Sequence, residues 1–278
     1  MSTAEFSGLL FVGSLLAGLL GALTGLGGGV VIVPLLTLAF GVDIRYAIGA
    51  SLVSVIATSS GAAAAYVREG FSNIRIGMFL EIATTLGAVF GAYLTTRVPT
   101  EAIGIIFGVV LLYSAIASYR GKHHDEGSLE TSKLAGMLRL RGSYPHNGKE
   151  EPYVAQRVPA GFGLMFTAGT LSGLLGIGSG AVKVLAMDQA MALPFKVSTT
   201  TSNFMIGVTA AASAGIYLSR GYISPELAMP VMLGVLAGSL TGAKILVHAP
   251  VKTLRMVFAL VIVALGIEMI INSLMGKL

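Results

Sequence analysis

The sequence predicts an all-α integral membrane protein built from two homologous repeats. Of its 278 residues, 54% are hydrophobic and 11% are charged, and the mean hydropathy is +0.84. Soluble domains carry about 25% charged residues. Nearly uncharged stretches of about 20 residues, the length of a transmembrane helix, recur along the chain. A glycine-rich motif occurs once in each half. These three observations together favour a duplicated membrane protein.

Eight stretches are long enough to cross a bilayer. They lie at 6–24, 46–67, 76–96, 102–119, 158–175, 197–218, 227–247 and 252–275. Because no Lys or Arg precedes the first, we interpret it as a retained helix and not as a signal peptide. A shorter apolar segment, 30–40 or 181–191, follows the first span of each half. At about 1.5 Å per residue, neither crosses a hydrocarbon core of about 30 Å, so we expect both to be re-entrant.

The two halves match without gaps at an offset of 151 residues. This offset relates residue pairs of the same type: Gly27 and Gly178, Gly29 and Gly180, Ser51 and Ser202, Tyr66 and Tyr217, Pro99 and Pro250. Shared hydrophobicity alone does not align glycines, tyrosines and prolines, so we infer a duplication. The predicted organisation is a first transmembrane repeat at 1–120, a polar linker at 121–157 and a second repeat at 158–278.

The basic residues favour an inverted relation between the repeats. Loops rich in Lys and Arg usually face the cytoplasm, which places the linker there. Inverted repeats then leave four basic residues outside: Arg45, Arg97, Arg220 and Lys277. Parallel repeats, in which each broken helix crosses completely, would leave six outside. We therefore expect inversion, with parallel repeats as the alternative.

The linker is the most polar part of the chain. Within it, 129–140 spaces apolar residues at helical intervals and could lie on the membrane surface; a solvated linker is the alternative. Its histidines, His123, His124 and His146, lack carboxylate or cysteine ligands at metal-binding spacing. We expect no metal and no cofactor.

The glycine motifs predict where the repeats are interrupted and where a ligand binds. Irregular backbone at membrane depth is tolerated only where protein buries it or where it lines a cavity. The first turn of each short segment would point unpaired N–H groups, and the positive end of its dipole, at an anion. Close helix packing is the alternative explanation for the glycines. The candidate binding residues at the breaks are Gly27, Gly28, Gly29, Gly178, Ser179 and Gly180.

Lys183 is a basic residue deep in the second short segment. A charge at this depth costs at least about 2.5–3.5 kcal/mol, which favours a functional position, here the binding of an anion. The alternatives are an ion pair, with Asp188 as the candidate partner, and snorkelling of the ammonium to the interface.

Polar residues on the following helices complete the predicted site. Thr199, Ser202 and Asn203 share one helix face, and Ser51 is the counterpart of Ser202. Helix–helix hydrogen bonding is the alternative role for these side chains. Glu81 and Asp188 are candidates for proton coupling, and we favour Glu81 over Glu268 because it lies deeper in its helix.

The glycine motif of the first half, its degenerate second copy, and the segments Gly49-Ala50-Ser51-Leu52 and Thr201-Ser202-Asn203 resemble the sulfite exporter TauE/SafE family of membrane transporters. The resemblance covers nearly the whole chain. It implies a prokaryotic inner-membrane carrier of sulfur-containing anions such as sulfite, sulfoacetate or related organosulfonates, often an exporter. Related members that handle thiosulfate use cysteines, and this chain has none, so thiosulfate is not the expected substrate.

We therefore predict a multi-pass protein of the cell membrane that is not an enzyme. It would be a secondary transporter coupled to protons, with the anion bound between the two broken helices. A passive anion channel is the alternative. The expected partners are the anion and the lipid bilayer; a homo-oligomer is allowed, and the net charge of +5 does not indicate nucleic acid.

Overall fold

The computed structural model of the chain describes residues 3–24, 28–68, 72–120, 133–146, 149–246 and 251–277. Helices dominate. The first half contains α1 (Thr3–Thr24), α2 (Gly29–Pro34), α3 (Ile44–Arg68), α4 (Ile74–Leu94) and α5 (Thr100–Arg120). The second half contains α7 (Val158–Leu175), α8 (Gly180–Leu185), α9 (Phe195–Ser219), α10 (Pro225–Leu246) and α11 (Val251–Leu274). Between the halves lie α6 (Lys133–Met137), β1 (Arg141–His146) and β2 (Lys149–Val154). The prediction of a helical membrane protein is confirmed at this level.

The helix bounds agree with the predicted spans within three residues. The two short apolar segments are also helical, since α2 and α8 each continue into a π-helical turn, Leu35–Ala39 and Ala186–Ala190. We call these the first and second π turns. Among the described residues, Ile74–Leu94 and Val158–Leu175 are long and apolar enough to cross a membrane by length and composition.

Corresponding elements of the two halves begin 151 residues apart. This spacing relates the first residues of α2 and α8, of the two π turns, of α3 and α9, of α4 and α10, and of α5 and α11. Local structure therefore follows the same offset as the sequence match.

Long helices pack across the two halves. Helix α1 packs on α10, α4 on α7, α5 on α11 and α3 on α9. If each helix is replaced by its counterpart in the other half, the α1–α10 pair becomes the α7–α4 pair, and the α3–α9 and α5–α11 pairs stay the same. The outer faces expose apolar side chains, as Met78, Ile82 and Leu86 do at successive turns of α4 with exposures of 62%, 56% and 59%. An exposed apolar face of this kind suits contact with lipid.

Glycines bring α4 and α7 into close contact. A Cβ on Gly87 or Gly91 would lie 2.1 or 2.0 Å from the carbonyl oxygen of Phe166 or Thr170, respectively. Gly169 and Gly173 on α7 approach α4 backbone carbonyls equally closely. Small residues allow this backbone approach between membrane helices, so Gly87 and Gly91 serve close packing of α4 on α7.

Gly91→Ala is expected to destabilise the protein by about 1–3 kcal/mol, because its Cβ must displace the α7 backbone. The thermal unfolding midpoint in detergent measures the effect. Gly163→Ala is the matched control, since Gly163 lies on α7 with open space where a Cβ would be added. Equal midpoints for the two variants would contradict close packing as the role of Gly91.

Each short segment returns towards the start of the long helix that precedes it. The backbone N–H of Gln156, just before α7, donates to the carbonyl of Met191, which follows the second π turn, at 2.8 Å. In the first half, the rings of Phe6 on α1 and Phe40 after the first π turn are 5.9 Å apart. The chain thus reverses direction at each break.

The linker differs from its predicted form. In the described part of 129–140 the structure has the short helix α6, and an antiparallel hairpin that pairs Arg141 with Val154 follows. Leu134 and Met137 of α6 are exposed, at 44% and 82%. The surface helix and its alternative, a solvated linker, stay predictions, whereas the all-α prediction missed a small sheet.

The hairpin packs against the end of the helical region. Tyr144 and Tyr153 are buried beside Val158 and Met191, and the Asn73 amide donates to the Tyr153 hydroxyl at 2.8 Å. Burial raises the pKa of Tyr153 above its usual range, an effect that the Asn73 hydrogen bond partly offsets. Tyr153 therefore stays a neutral acceptor for Asn73, which also caps α4 by accepting from the Ile76 N–H.

Candidate functional site

The two breaks meet inside the protein. A Cβ on Gly29, at the start of α2, would lie 2.8 Å from Ser51 Oγ and 3.0 Å from the carbonyl oxygen of Gly176. Ser51 Oγ on α3 donates to that same carbonyl at 2.7 Å. The predicted residues Gly29 and Ser51 of the first half therefore meet Gly176 of the second, which was not predicted, and the first break contacts the second directly. Gly28, the residue before α2, is buried; Gly27 lies outside the described residues.

The second break has a left-handed backbone. The φ angles of Gly176, Gly178 and Ser179 are +67°, +70° and +44°. Glycine adopts this region freely, whereas a serine there is strained by about 1–2 kcal/mol. Strained residues of this kind cluster at functional sites. Ser179 is 3% exposed, and its hydroxyl has no hydrogen-bond partner within the described part of the protein.

The polar residues of α9 occupy different environments. Ser202 is buried and donates to the carbonyl of Gly180 at 3.3 Å, so it contacts the second break. Thr199 donates to Phe195 of its own helix at 2.9 Å, and Asn203 is half-buried. In this conformation the Ser51, Ser202 and Thr199 hydroxyls donate to carbonyls, so they would have to turn in order to donate to an anion.

Lys183 is fully buried, which makes it the strongest electrostatic feature of α8. Its exposure is 0%, and its Nζ donates to Thr209 Oγ1 on α9 at 2.6 Å. The Thr209 hydroxyl in turn donates to Glu81 Oε1 on α4 at 2.7 Å. The ammonium and the carboxylate are therefore joined through one hydroxyl.

Glu81 lies in the same buried cluster and is 8% exposed. Its Oε1 also accepts from Thr85 at 3.1 Å, whereas its buried Oε2 has no partner among the described residues. Glu268, the other acid considered at helix depth, is exposed on α11. We call Glu81, Thr209 and Lys183 the charged triad. Two of its members were predicted separately; their connection was not.

Two further findings concern the residues that interact with Lys183. Asp188, named as a candidate partner of Lys183, is buried in the second π turn with 1% exposure. The charge that interacts with Lys183 through Thr209 is that of Glu81, which is 128 residues from Thr209 in sequence. Thr209 was not a predicted site residue. Its only sequence signal was its position two turns after Ser202 on the same face of α9.

Comparison with known proteins identifies the class of protein. The family model described as "Sulfite exporter TauE/SafE" matches residues 10–269. The chain is 28% identical to the probable membrane transporter protein YunE of Bacillus subtilis, covering 96% of this chain and 98% of that protein. It is 27% identical to the probable membrane transporter protein MJ0441 of Methanocaldococcus jannaschii, covering 95% of each. No solved structure matches significantly.

The matched residues include both breaks, all three members of the charged triad and nearly all the long helices. Apolar helices with lipid-compatible outer faces agree with the names of the relatives, which describe them as probable membrane transporter proteins. The protein is accordingly a multi-pass protein of the cell membrane, and it belongs to the sulfite exporter TauE/SafE family of membrane transporters.

Proposed function

We propose that the protein is a proton-coupled secondary transporter that exports small sulfur-containing anions, such as sulfite, sulfoacetate or related organosulfonates. The single observation that carries this proposal is the fully buried Lys183 beside a break in the helix, within a transporter family. An ammonium at this depth is costly unless an anion or a counter-ion compensates it. Such a group suits the temporary binding of an anion.

The proposed architecture is a pair of inverted repeats, each with a re-entrant hairpin. Contacts between α3 and α9 support it: Gly49 near the start of α3 approaches Tyr222 after the end of α9, while Ser59 further along α3 approaches Gly207. Counterpart helices of the two halves therefore run antiparallel. The return of each short segment to the start of its preceding helix supports re-entrance.

In this architecture the anion would bind between the two breaks. Lys183 supplies a full positive charge, and the hydroxyls of Ser179, Ser51 and Ser202 lie around the breaks. Gly29, Gly178 and Gly180 would contribute backbone N–H groups; a Cβ at each would lie within 3.0 Å of a neighbouring residue, so glycine also permits close packing at the breaks. Thr199 and Asn203, which are half-buried on α9, would also contact the anion, and Gly27 and Gly28 would complete the first break.

The sulfur-containing substrate class is supported by the description of the family, and by the chemistry of the site. Sulfite and sulfonates present several acceptor oxygens and no donor in their ionised form. An ammonium, hydroxyls and backbone amides are all donors, so the proposed site matches an oxyanion. Asp188 would be the second proton-coupling candidate after Glu81.

Flux into proteoliposomes tests the function. We expect labelled sulfite or sulfoacetate to enter with saturable kinetics and to accelerate under an inward proton gradient, while sulfate and chloride do not compete. Flux of every anion without dependence on the gradient would indicate a channel. Absence of flux for all sulfur-containing anions would contradict the proposed substrate class.

A further inference from the structure

We infer that Glu81 is the built-in counter-ion of Lys183, held to it by Thr209, and that an anion binds to Lys183 only as Glu81 takes up one proton. This inference rests on the proposed function, because it takes Lys183 as the anion-binding group. It adds Thr209 as the positioning residue that connects the anion site to the proton site.

The triad forms a directional chain of hydrogen bonds. Lys183 Nζ can only donate, so Thr209 Oγ1 accepts at 2.6 Å and its own proton points to Glu81 Oε1 at 2.7 Å. Both bonds involve a charged group and are short, which is typical of the stronger hydrogen bonds in proteins. This arrangement stabilises ionised Lys183 together with ionised Glu81.

The same hydroxyl also suits the protonated state of Glu81. The Met205 carbonyl lies 3.0 Å from Thr209 Oγ1 and offers its proton a second acceptor. If Glu81 Oε1 carries a proton, it can donate to Thr209 Oγ1, while the Thr209 proton turns to Met205. No heavy atom of the triad has to move, so Thr209 can serve both protonation states.

Charge balance makes anion binding at Lys183 depend on protonation of Glu81. With Lys183 and Glu81 both ionised, the pair is neutral; an added monovalent anion would leave one uncompensated negative charge in a buried site. Burial of such a charge is strongly unfavourable. One proton from solution, forming an O–H bond on the Glu81 carboxylate, restores neutrality and frees Lys183 to face the anion.

Few other ionisable groups can compensate this charge. Asp188 is buried in the second π turn, and as an acid it cannot supply a positive charge. Helix α7, which packs on α4, carries no ionisable side chain. The basic residues near the starts of α4 and α9, Arg75 and Lys196, are exposed. Glu101 and Tyr113 of α5 are exposed as well. Glu81 is thus the acid connected to Lys183 through hydrogen bonds.

The inference predicts the sign of the pH dependence. Above the pH at which Glu81 ionises in the anion-free protein, each bound anion takes up one proton, so affinity falls about tenfold per pH unit. In Glu81→Gln the group is neutral at every pH, so anion binding takes up no proton and its pH dependence disappears.

Calorimetry on the purified full-length protein tests this with methanesulfonate, a monovalent anion that does not titrate, and with sulfoacetate. Titrations in two buffers of different ionisation enthalpy give the number of protons taken up per anion. For the monovalent methanesulfonate we expect about one proton for the wild type and none for Glu81→Gln. Binding without proton uptake by the wild type would overturn the inference but leave anion binding intact; no binding of either anion would contradict the proposed function itself.

Variants of Thr209 separate positioning from folding. Thr209→Val should reduce proton uptake to less than half, and Thr209→Ser should restore it because the hydroxyl is kept. Thr58→Val is the matched control. Thr58 is the counterpart of Thr209 at the same offset, and within the described part of the protein its hydroxyl donates to the carbonyls of Ser54 and Val55 in its own helix. Full coupling in Thr209→Val would remove Thr209 from the mechanism.

A spectroscopic measurement on the wild type avoids variants that fail to fold. The infrared difference spectrum on adding methanesulfonate should gain the carbonyl band of a protonated carboxyl group. The absence of that band, with anion bound, would overturn proton uptake at Glu81.

Discussion

Lys183→Ala is expected to abolish transport and to weaken anion binding by about 30-fold to several thousand-fold. Truncation of one member of a buried, hydrogen-bonded charge pair typically costs about 2–5 kcal/mol in affinity. Lys183 is fully buried and belongs to the hydrogen-bonded triad, so this range applies. Calorimetry with methanesulfonate and flux in proteoliposomes measure the two effects.

The same change also leaves Glu81 as an uncompensated buried charge, which could lower stability by about 3–5 kcal/mol. The double variant Lys183→Met/Glu81→Gln separates the effects, because replacing both charges is often neutral for stability. We expect it to fold like the wild type and to remain unable to transport. Lys196→Ala, at an exposed position of α9, is the matched single-charge control.

If the double variant folded and still bound the anion with wild-type affinity, Lys183 would be a structural ion-pair partner and no part of the site. If Lys196→Ala lost as much affinity as Lys183→Ala, general surface charge and not the buried ammonium would govern binding. Either result would contradict the proposed site.

Neither charged member of the triad has a charged counterpart in the other repeat. At the offset of 151 residues, the counterpart of Lys183 is Ile32 and the counterpart of Glu81 is Met232, whereas Thr209 corresponds to Thr58. Ile32 is fully buried. The backbone of the breaks is therefore duplicated, while the charged residues Lys183 and Glu81 are not. Under the proposed function, this asymmetry predicts one anion and one proton per chain, not two.

The helices were predictable from the sequence because membrane depth restricts them to long apolar segments. The lengths of α4 and α7 follow from hydropathy alone, and their ends follow from polar residues such as Asn73, which caps α4. The breaks were predictable because glycines followed by a half-length apolar segment are typical of an interrupted membrane helix. Lys183 was predicted because a basic residue is rare in such a segment, and Ser51 and Ser202 because they correspond at the offset of 151 residues.

The rest depends on contacts that a sequence pattern does not reveal. Thr209 is one of many hydroxyl residues in the helices, and only the packing of α4, α8 and α9 brings it between Glu81 and Lys183. The hairpin was missed because the polar linker gives a weak period-two signal, and its tyrosines are buried only against residues of the helical region. The distances that decide function here are those between residues far apart in the sequence, which only the tertiary structure brings together.

The contact between the two breaks implies that they work as one unit, and Gly29→Val tests this. The added Cβ would lie 2.8 Å from Ser51 Oγ and 3.0 Å from the Gly176 carbonyl, so the first break must move away from the second. Overpacking of this kind typically costs about 1–3 kcal/mol. We expect transport to fall at least about tenfold, because displacement of the breaks by even about 1 Å can misplace binding groups.

Gly215→Val provides the matched control for this change. Gly215 lies on α9, and no atom lies within 4 Å of the position its Cβ would take, so the same substitution adds the same bulk without a collision. Its flux should equal that of the wild type. If Gly29→Val had normal flux and a normal unfolding midpoint, the two breaks would be able to separate freely, and anion transport would not depend on the contact between them. Loss of flux with methanesulfonate affinity unchanged would instead assign the contact to the transport motion, because the bound state would then form without it.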